Sequence, residues 1–510
     1  MLYSKDGKTL LYSLAAGMQN EEAVVLSKEV TKIEHDAFRN TLCEEIIFRN
    51  ASIRVHGNSF KESRWLEKQG DYALIGSMFY RLCRSVPKLE IPDSVRRYHE
   101  DAFYRSCVQH LIVRTLPPVR QLEQMQLSSL TITGTSGKIN FPHLQALKAL
   151  SFIELTGHRM YESRDGVVFS KNGANLLYYP PRKSGTAYEI PDGTRKICRM
   201  AFHEQACLSL IRFPKSVRSI EPGAFYGCRN LQEVFLPEGV RELPDASVFQ
   251  NHGVFACCKS LKTVHLPPGI RHIGSCAFQE TALEEIRLPE GLRSIGEYAF
   301  STTNLNNLAL PASVRIVGKG AFQDTGTIEA QEGTARGLIS ALEAVAYGES
   351  EKPANLKWHA ARIIMHSRRF QTPVQLMIPM NMRRRDAVYL EAAWNQERFD
   401  FEEYAECFPN ISDSAERLAF AVTALPYLPG ENNPYEEYLR HSSSKIATRL
   451  LENGDEQGFI SFLQKGYLSS NAFDRLLQIS NRQGLGTAAA YILQYRKKQK
   501  PKGRSKVLRL

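Results

Sequence analysis

The residues from which a catalytic, metal or phosphate site would be built are present, but their spacing is wrong for each. Thirteen histidines show no H-E-x-x-H or related ligand spacing, and ten cysteines include no C-x-x-C pair. Gly484-Leu485-Gly486-Thr487 has the glycines of a phosphate loop. Such a loop must follow a strand and open a helix, whereas Leu476–Ser480 before it reads as helix, so a helix–helix turn is the expected reading. No nucleophile, base and orienting acid can be assembled from neighbouring repeat positions, so neither an enzyme nor a cofactor is expected. Two sets suit binding instead. Arg212, Phe235, His265 and Arg287 recur at one position of four successive sequence repeats, and arginine and aromatics are the residues enriched at interface hot spots. Arg496, Lys497, Lys498, Lys500, Lys502 and Arg504, with Lys506 and Arg509, form a basic end without an acid. These eight cations account for most of the formal net charge of +11. They could contact nucleic acid or acidic lipid, or simply be solvated.

The elements that position the first set repeat between Tyr188 and Phe322. Each copy has an apolar strand, a proline, an aliphatic–Arg pair such as Val240-Arg241, and a turn built on Ala-Phe. The prolines are Pro191, Pro214, Pro237, Pro267, Pro289 and Pro311, and the phenylalanines are Phe202, Phe225, Phe255, Phe278, Phe300 and Phe322. Proline to phenylalanine is eleven residues except from Pro237 to Phe255, which carries a seven-residue insert. Copies otherwise start 22 or 23 residues apart, a period that marks a solenoid. In Leu231–Pro237 the alternation sends Val234 and Leu236 inward and Phe235 outward, and Pro237 ends the ladder because it has no amide hydrogen. Three residues after the phenylalanine stands Cys228 or Cys258, or Thr281, Thr303 or Thr325, a small side chain suited to an inward turn. The two cysteines therefore read as core thiols, which fits a reducing compartment.

The pattern Ala-Phe-x-x-Cys-x-x-Leu-x-x-Ile-x-Leu-Pro-x-x-Val-x-x-Ile resembles the BspA-type leucine-rich repeat over roughly residues 1–325. The resemblance implies an α/β repeat solenoid with a parallel sheet and a binding role, and it carries no catalytic residues. Several members of that family are surface adhesins.

Residues 1–330 are thus expected to form the solenoid. Asp6-Gly7 and Asn172-Gly173 are type I′ turn dipeptides between apolar flanks, so both mark hairpins, with a weaker third copy at Tyr72–Tyr80. Each precedes a repeat strand, giving three hairpin-plus-coil modules. Residues 331–355 read as a linker. From 356 to 495 an all-α domain is expected, partly ankyrin-like. Leu356, Ala360, Ile363 and Ile364 make one helical stripe, and Gly454, Gly466 and Gly484 stop helices in two later pairs. Residues 496–510 are the basic tail. No apolar run is long enough for a membrane span, and the first residues lack the apolar core of a secretion signal. The expectation is a cytoplasmic, non-catalytic scaffold binding a protein partner of unknown identity on its sheet face. A surface adhesin, or a nucleic-acid-associated protein acting through the tail, are the alternatives.

Overall fold

One coil shows how the chain is built. The strand Leu210–Arg212 buries Ile211, and Pro214 then ends it and accepts the Val217 N–H in a tight turn. A second, two-residue strand follows at Ser219–Ile220. The chain turns again around Ala224-Phe225 and returns. The structure, a computed structural model, describes residues 1–13, 23–134, 137–248, 252–342, 361–369, 373–378, 384–411, 414–424 and 436–499. A parallel-strand solenoid of about 14 turns runs from residue 9 to 329, and a helix-rich region follows.

Each regular coil contributes to two ladders, one more than the apolar pattern announced. Long strands pair in parallel, as Ala187–Glu189 does with Leu210–Arg212 and that strand with Glu233–Phe235. The aliphatic–Arg segment forms the other ladder, in which Lys196–Ile197 pairs with Ser219–Ile220. Between them lies the phenylalanine turn. Phe202 donates its N–H to Ala224 O (2.7 Å), and Phe225 donates to Val254 O (2.9 Å), valine replacing the usual alanine in the lengthened copy. The turn is thus a third line of inter-coil hydrogen bonds, and the rings stack along it. Tyr179, Phe202, Phe225 and Phe255 have centroids 4.8, 4.9 and 5.1 Å apart.

The chain divides into two units, Met1–Val240 with Val254–Leu261, and Arg241–Gly253 with Lys262–Leu510. In the first, all three modules open on antiparallel hairpins. The second strand of each hairpin starts a short-strand ladder, as Thr9–Tyr12 does for Lys32–Ile33 and Arg54–Val55. The turn type differs from expectation. Only Gly7 and Gly173 have positive φ (69° and 67°), not Asp6 or Asn172, whereas a type I′ turn needs both central residues there. The acidic or amide side chain instead braces the loop. Asp6 Oδ1 accepts the Ser4 hydroxyl (2.5 Å) and Lys8 N–H (3.1 Å), and Asn172 Oδ1 accepts Ser170 and Ala174 in the same way.

In the second unit the short ladder runs through Glu242–Leu243, His272–Ile273, Ser294–Ile295 and Ile316–Val317. The helical stripe expected at Ile363 and Ile364 is corrected: both lie in the strand Ala361–His366, which pairs in parallel with Thr327–Gln331 and antiparallel with Val374–Ile378. Spacings of seven and eight satisfy a helix, but Arg362-Ile363-Ile364-Met365 alternates outward and inward and had an open sheet edge to join. Leu356 and Ala360 lie outside the described residues. Helices then follow at Arg384–Trp394, Phe401–Ala405, Ser414–Ala424 and Glu436–His441. Two helix pairs come last, Ser443–Glu452 with Glu456–Gln464 and Phe473–Arg482 with Gly486–Gln499. Gly454, Gly466 and Gly484, at φ of 72°, 74° and 73°, stop them where the sequence placed the breaks.

Candidate interaction surface

The strand pleat decides which side chains each long ladder offers. In the first unit Ile211 and Val234 are buried, so their neighbours Arg212 and Phe235 point to solvent, and Phe235 is 53% exposed. The register Leu210↔Glu233 and Ile211↔Val234 sets Arg212 opposite Phe235, about 4.8 Å away across the ladder. In the second unit the register Thr263↔Glu285 and Val264↔Ile286 sets His265 opposite Arg287 in the same manner, both exposed. Each unit therefore offers one cation beside one ring at the expected outward position. Such a pair can take a carboxylate and an apolar group together. The sequence reading missed another exposed pair in the first unit, Val25 and Ile47, at 44% and 42% exposure and in register on neighbouring strands. Its signal was the consecutive apolar runs Val24-Val25-Leu26 and Ile46-Ile47-Phe48, where a half-buried strand should alternate.

The basic end is partly helical. The helix Gly486–Gln499 runs past the boundary expected at 496 and takes in Arg496, Lys497 and Lys498. Arg496 pairs with Asp474 at 2.6 Å. Lys500, Lys502 and Arg504 lie outside the described residues.

Folding also gathers two polar clusters. His99, Glu100 and Asp101 bring three ligand-type atoms within 4.8 Å. His99 is buried, however, with Nε2 on Val55 O (2.9 Å) and Nδ1 accepting the Asp101 N–H (3.1 Å). Both ring nitrogens are thus used, and a histidine in that state fastens two coils rather than holding a metal. The second cluster is the acid, imidazole and hydroxyl set that no reading of the repeat had assembled. His272 Nδ1 lies 2.8 Å from Ser294 Oγ, and Nε2 lies 3.3 Å from Asp245 Oδ1. His272 and Ser294 are register partners in the short ladder, so their contact follows from ladder geometry. Asp245 Oδ1 already accepts the Ser275 N–H (2.8 Å) and hydroxyl (2.9 Å). Burial pushes the Asp245 carboxyl up, but the two Ser275 bonds and His272 outweigh it and hold it below the usual range. The trio ties the seven-residue insert to its neighbouring coils, which explains the residue types without a substrate.

The profile of the BspA type leucine rich repeat region matches six copies, over residues 16–128, 181–253 and 251–332. The chain belongs to the BspA-type leucine-rich repeat family. Solved leucine-rich repeat proteins resemble it. A leucine rich cell surface protein from Faecalibacterium prausnitzii A2-165 is 22% identical, with 63% of this chain and 83% of that one covered and a TM-score of 0.35. A leucine-rich repeat protein from Bacteroides ovatus ATCC 8483 is 18% identical, with 65% and 85% covered and a TM-score of 0.30. No curated protein matches the chain. Among the described residues of this BspA-type protein, no helix is long and apolar enough to cross a membrane.

Proposed function

We propose that this protein is a non-catalytic interaction scaffold that holds a protein partner on the outward strand positions of its long ladders, in a reducing compartment of the cell. The observation that carries the reading is Phe235, an aromatic 53% exposed to solvent, set opposite Arg212 on a regular parallel ladder. Family membership supports it, because BspA-type repeats generally serve protein binding or adhesion. The sheet itself also supports it, since solenoid ladders offer long regular surfaces. A partner presenting carboxylates around an apolar knob matches the chemistry of each pair.

The test uses one variant per unit, Arg212→Ala/Phe235→Ala and His265→Ala/Arg287→Ala. These side chains leave the core untouched, so Tm should stay at the wild-type value. Partners captured on immobilised full-length protein are identified by mass spectrometry, and the Kd of the purified pair is measured with each variant. Weakening of about tenfold or more, roughly 1.4 kcal/mol, in at least one variant is expected. Wild-type affinity in both would overturn the sheet-face reading. Fractionation of cells with an antibody tests the compartment, and recovery at the cell surface would replace the scaffold by an adhesin.

A further inference from the structure

The short ladder of the first unit is broken at one place, and the break leaves a lined cleft. In regular coils the fourth and sixth residues after the proline position lend their carbonyls to the next coil. Arg195 O thus accepts the Arg218 and Ser219 N–H groups (2.8 and 3.3 Å), and Ile197 O accepts the Glu221 N–H (2.9 Å). In the coil after Pro92 the equivalent residues are Arg96 and Tyr98, and Arg97–Tyr98 is the edge strand of its three-stranded sheet. The register His110↔Lys88 through Ile112↔Glu90 puts Pro118 where Arg218 stands in a regular coil. Proline has no N–H to give. Pro118 instead accepts the Gln121 N–H (2.8 Å) and opens the short helix Val119–Leu122. The next coil also turns through a helix, Phe141–Leu144. Among the described residues, nothing donates to Arg96 O or Tyr98 O.

The space left by the missing strand is a cleft of about 390 Å³. Arg96, Arg97 and Tyr98 form one wall, and Leu116, Pro117 and Ile139 contribute apolar surface, with no acid in the lining. Tyr98, Leu116 and Ile139 are only partly buried against the core below. Arg97 spends one N–H on Ala51 O (2.7 Å), and a guanidinium has five.

From these observations we propose that the cleft is a peptide-binding site, separate from the long-ladder face, in which an extended acidic segment of a partner protein supplies the strand that Pro117-Pro118 removed. Backbone N–H groups of the peptide bond Arg96 O and Tyr98 O, as in strand addition at a sheet edge. An apolar side chain fills the space over Leu116 and Ile139, and a flanking carboxylate meets Arg97 and Arg96. The class of ligand follows from three complementary features: open acceptors, apolar floor and unopposed cations.

The probe is the fluorescein-labelled peptide Gly-Glu-Val-Leu-Val-Glu-Gly, titrated by anisotropy into the full-length protein. Saturable binding is expected, and Lys in place of both Glu should abolish it. Arg97→Glu should weaken the acidic peptide about tenfold or more and improve the Lys peptide. Ile139→Trp, which fills the cleft and spares the charges, should also abolish binding, and Tm of both variants checks folding. Successive N–H groups of an extended peptide point to opposite sides, so N-methylation at alternate positions should block binding in one phase and spare it in the other. Equal loss or equal retention in the two phases would overturn strand addition. No saturable binding, or binding indifferent to both Arg97→Glu and Ile139→Trp, would overturn the site. Phe235→Ala should leave the titration unchanged, so this result stands apart from the test of the long-ladder face.

Discussion

At the residue scale, the phenylalanine turn depends on two positions of left-handed backbone that the repeat does not advertise. The residue two before the phenylalanine has positive φ at Asp36, Met200, Cys276 and Tyr298, and the residue two after it at Asn40, Glu204, Glu280, Thr302 and Asp324. Ordinary side chains there cost about 1–2 kcal/mol each, and a β-branched one is least suited. Three residues after the ring, Thr281 and Thr303 return their hydroxyls to the carbonyls of Phe278 and Phe300 at 2.8 and 2.9 Å. Cys228 and Cys258 reach the phenylalanine carbonyl of the preceding coil instead, at 3.0 and 3.1 Å, and burial pushes the Cys258 thiol well up. Thr302 is exposed and sits at φ 58°, while Gly227 fills the same position at φ 68°. Thr302→Gly should therefore stabilise the fold by about 0.5–1 kcal/mol, the relieved strain exceeding the entropy that glycine adds to the unfolded chain. Gly227→Thr should destabilise by roughly 1–2 kcal/mol, since its Cβ would also come within 3.0 Å of Glu204 Cγ. Urea melts of the two variants check the opposite signs.

At the element scale, the last coil of the second unit is closed by a helix whose side chains replace a missing neighbour. Trp394 is buried and donates Nε1–H toward Thr334 O and Ala335 O, both at 3.1 Å. From the same helix Glu391 accepts the Ser340 N–H (2.7 Å), and just beyond it Asn395 accepts the Gly337 N–H (3.2 Å). Backbone groups that an added coil would have paired are thus satisfied, the requirement for ending any solenoid. Glu332 fastens the strands alongside. Its carboxylate, with 9% side-chain exposure, accepts Arg369, the Ser367 hydroxyl and the Phe399 N–H. Burial raises its pKa, but these three partners outweigh burial and hold it below the ordinary glutamate value. A depressed folded pKa means stability that is whole above about pH 4.3, the unfolded value, and is lost as pH falls through the folded one. Glu332→Gln should cost about 1–3 kcal/mol at pH 7. The gap between wild type and variant should stay level down to about pH 5 and close on further acidification. Denaturant midpoints across pH 3–8 measure it, and a gap that widens at low pH would contradict the sign.

At the scale of the whole chain, stability is a sum over neighbours, because each coil touches little beyond the next. Phe225 is fully buried between Phe202 and Phe255, with centroids 4.9 and 5.1 Å away. Phe225→Ala should cost about 3–5 kcal/mol. Hydrogen exchange should quicken most at Phe202 N–H and Phe225 N–H, the bonds on either side, and least in helices far along the sequence such as Phe473–Arg482. Uniform acceleration would mean that the chain unfolds as one cooperative body and not coil by coil.

The sequence by itself determined the elements whose physics is local and repeated. Inward Val234 beside outward Phe235, the proline stops and the glycine helix ends at Gly454, Gly466 and Gly484 all follow from pleat, missing amide hydrogen and backbone freedom. Those constraints act within a few residues, so a one-dimensional pattern records them. Tertiary structure decided whatever depends on a partner far along the chain. Ile363 and Ile364 satisfied a helical spacing, yet the open edge of Thr327–Gln331 made them a strand. Val240-Arg241 read only as the aliphatic–Arg pair of the frame, although its segment belongs to a second ladder, because strands of two residues leave no periodicity. The cleft beside Arg97 lies where Pro118, which has no N–H, stands at the position from which a regular coil donates to the coil before it. Hydrogen-bond supply between coils is a property of the stack, and no single copy of the repeat carries it.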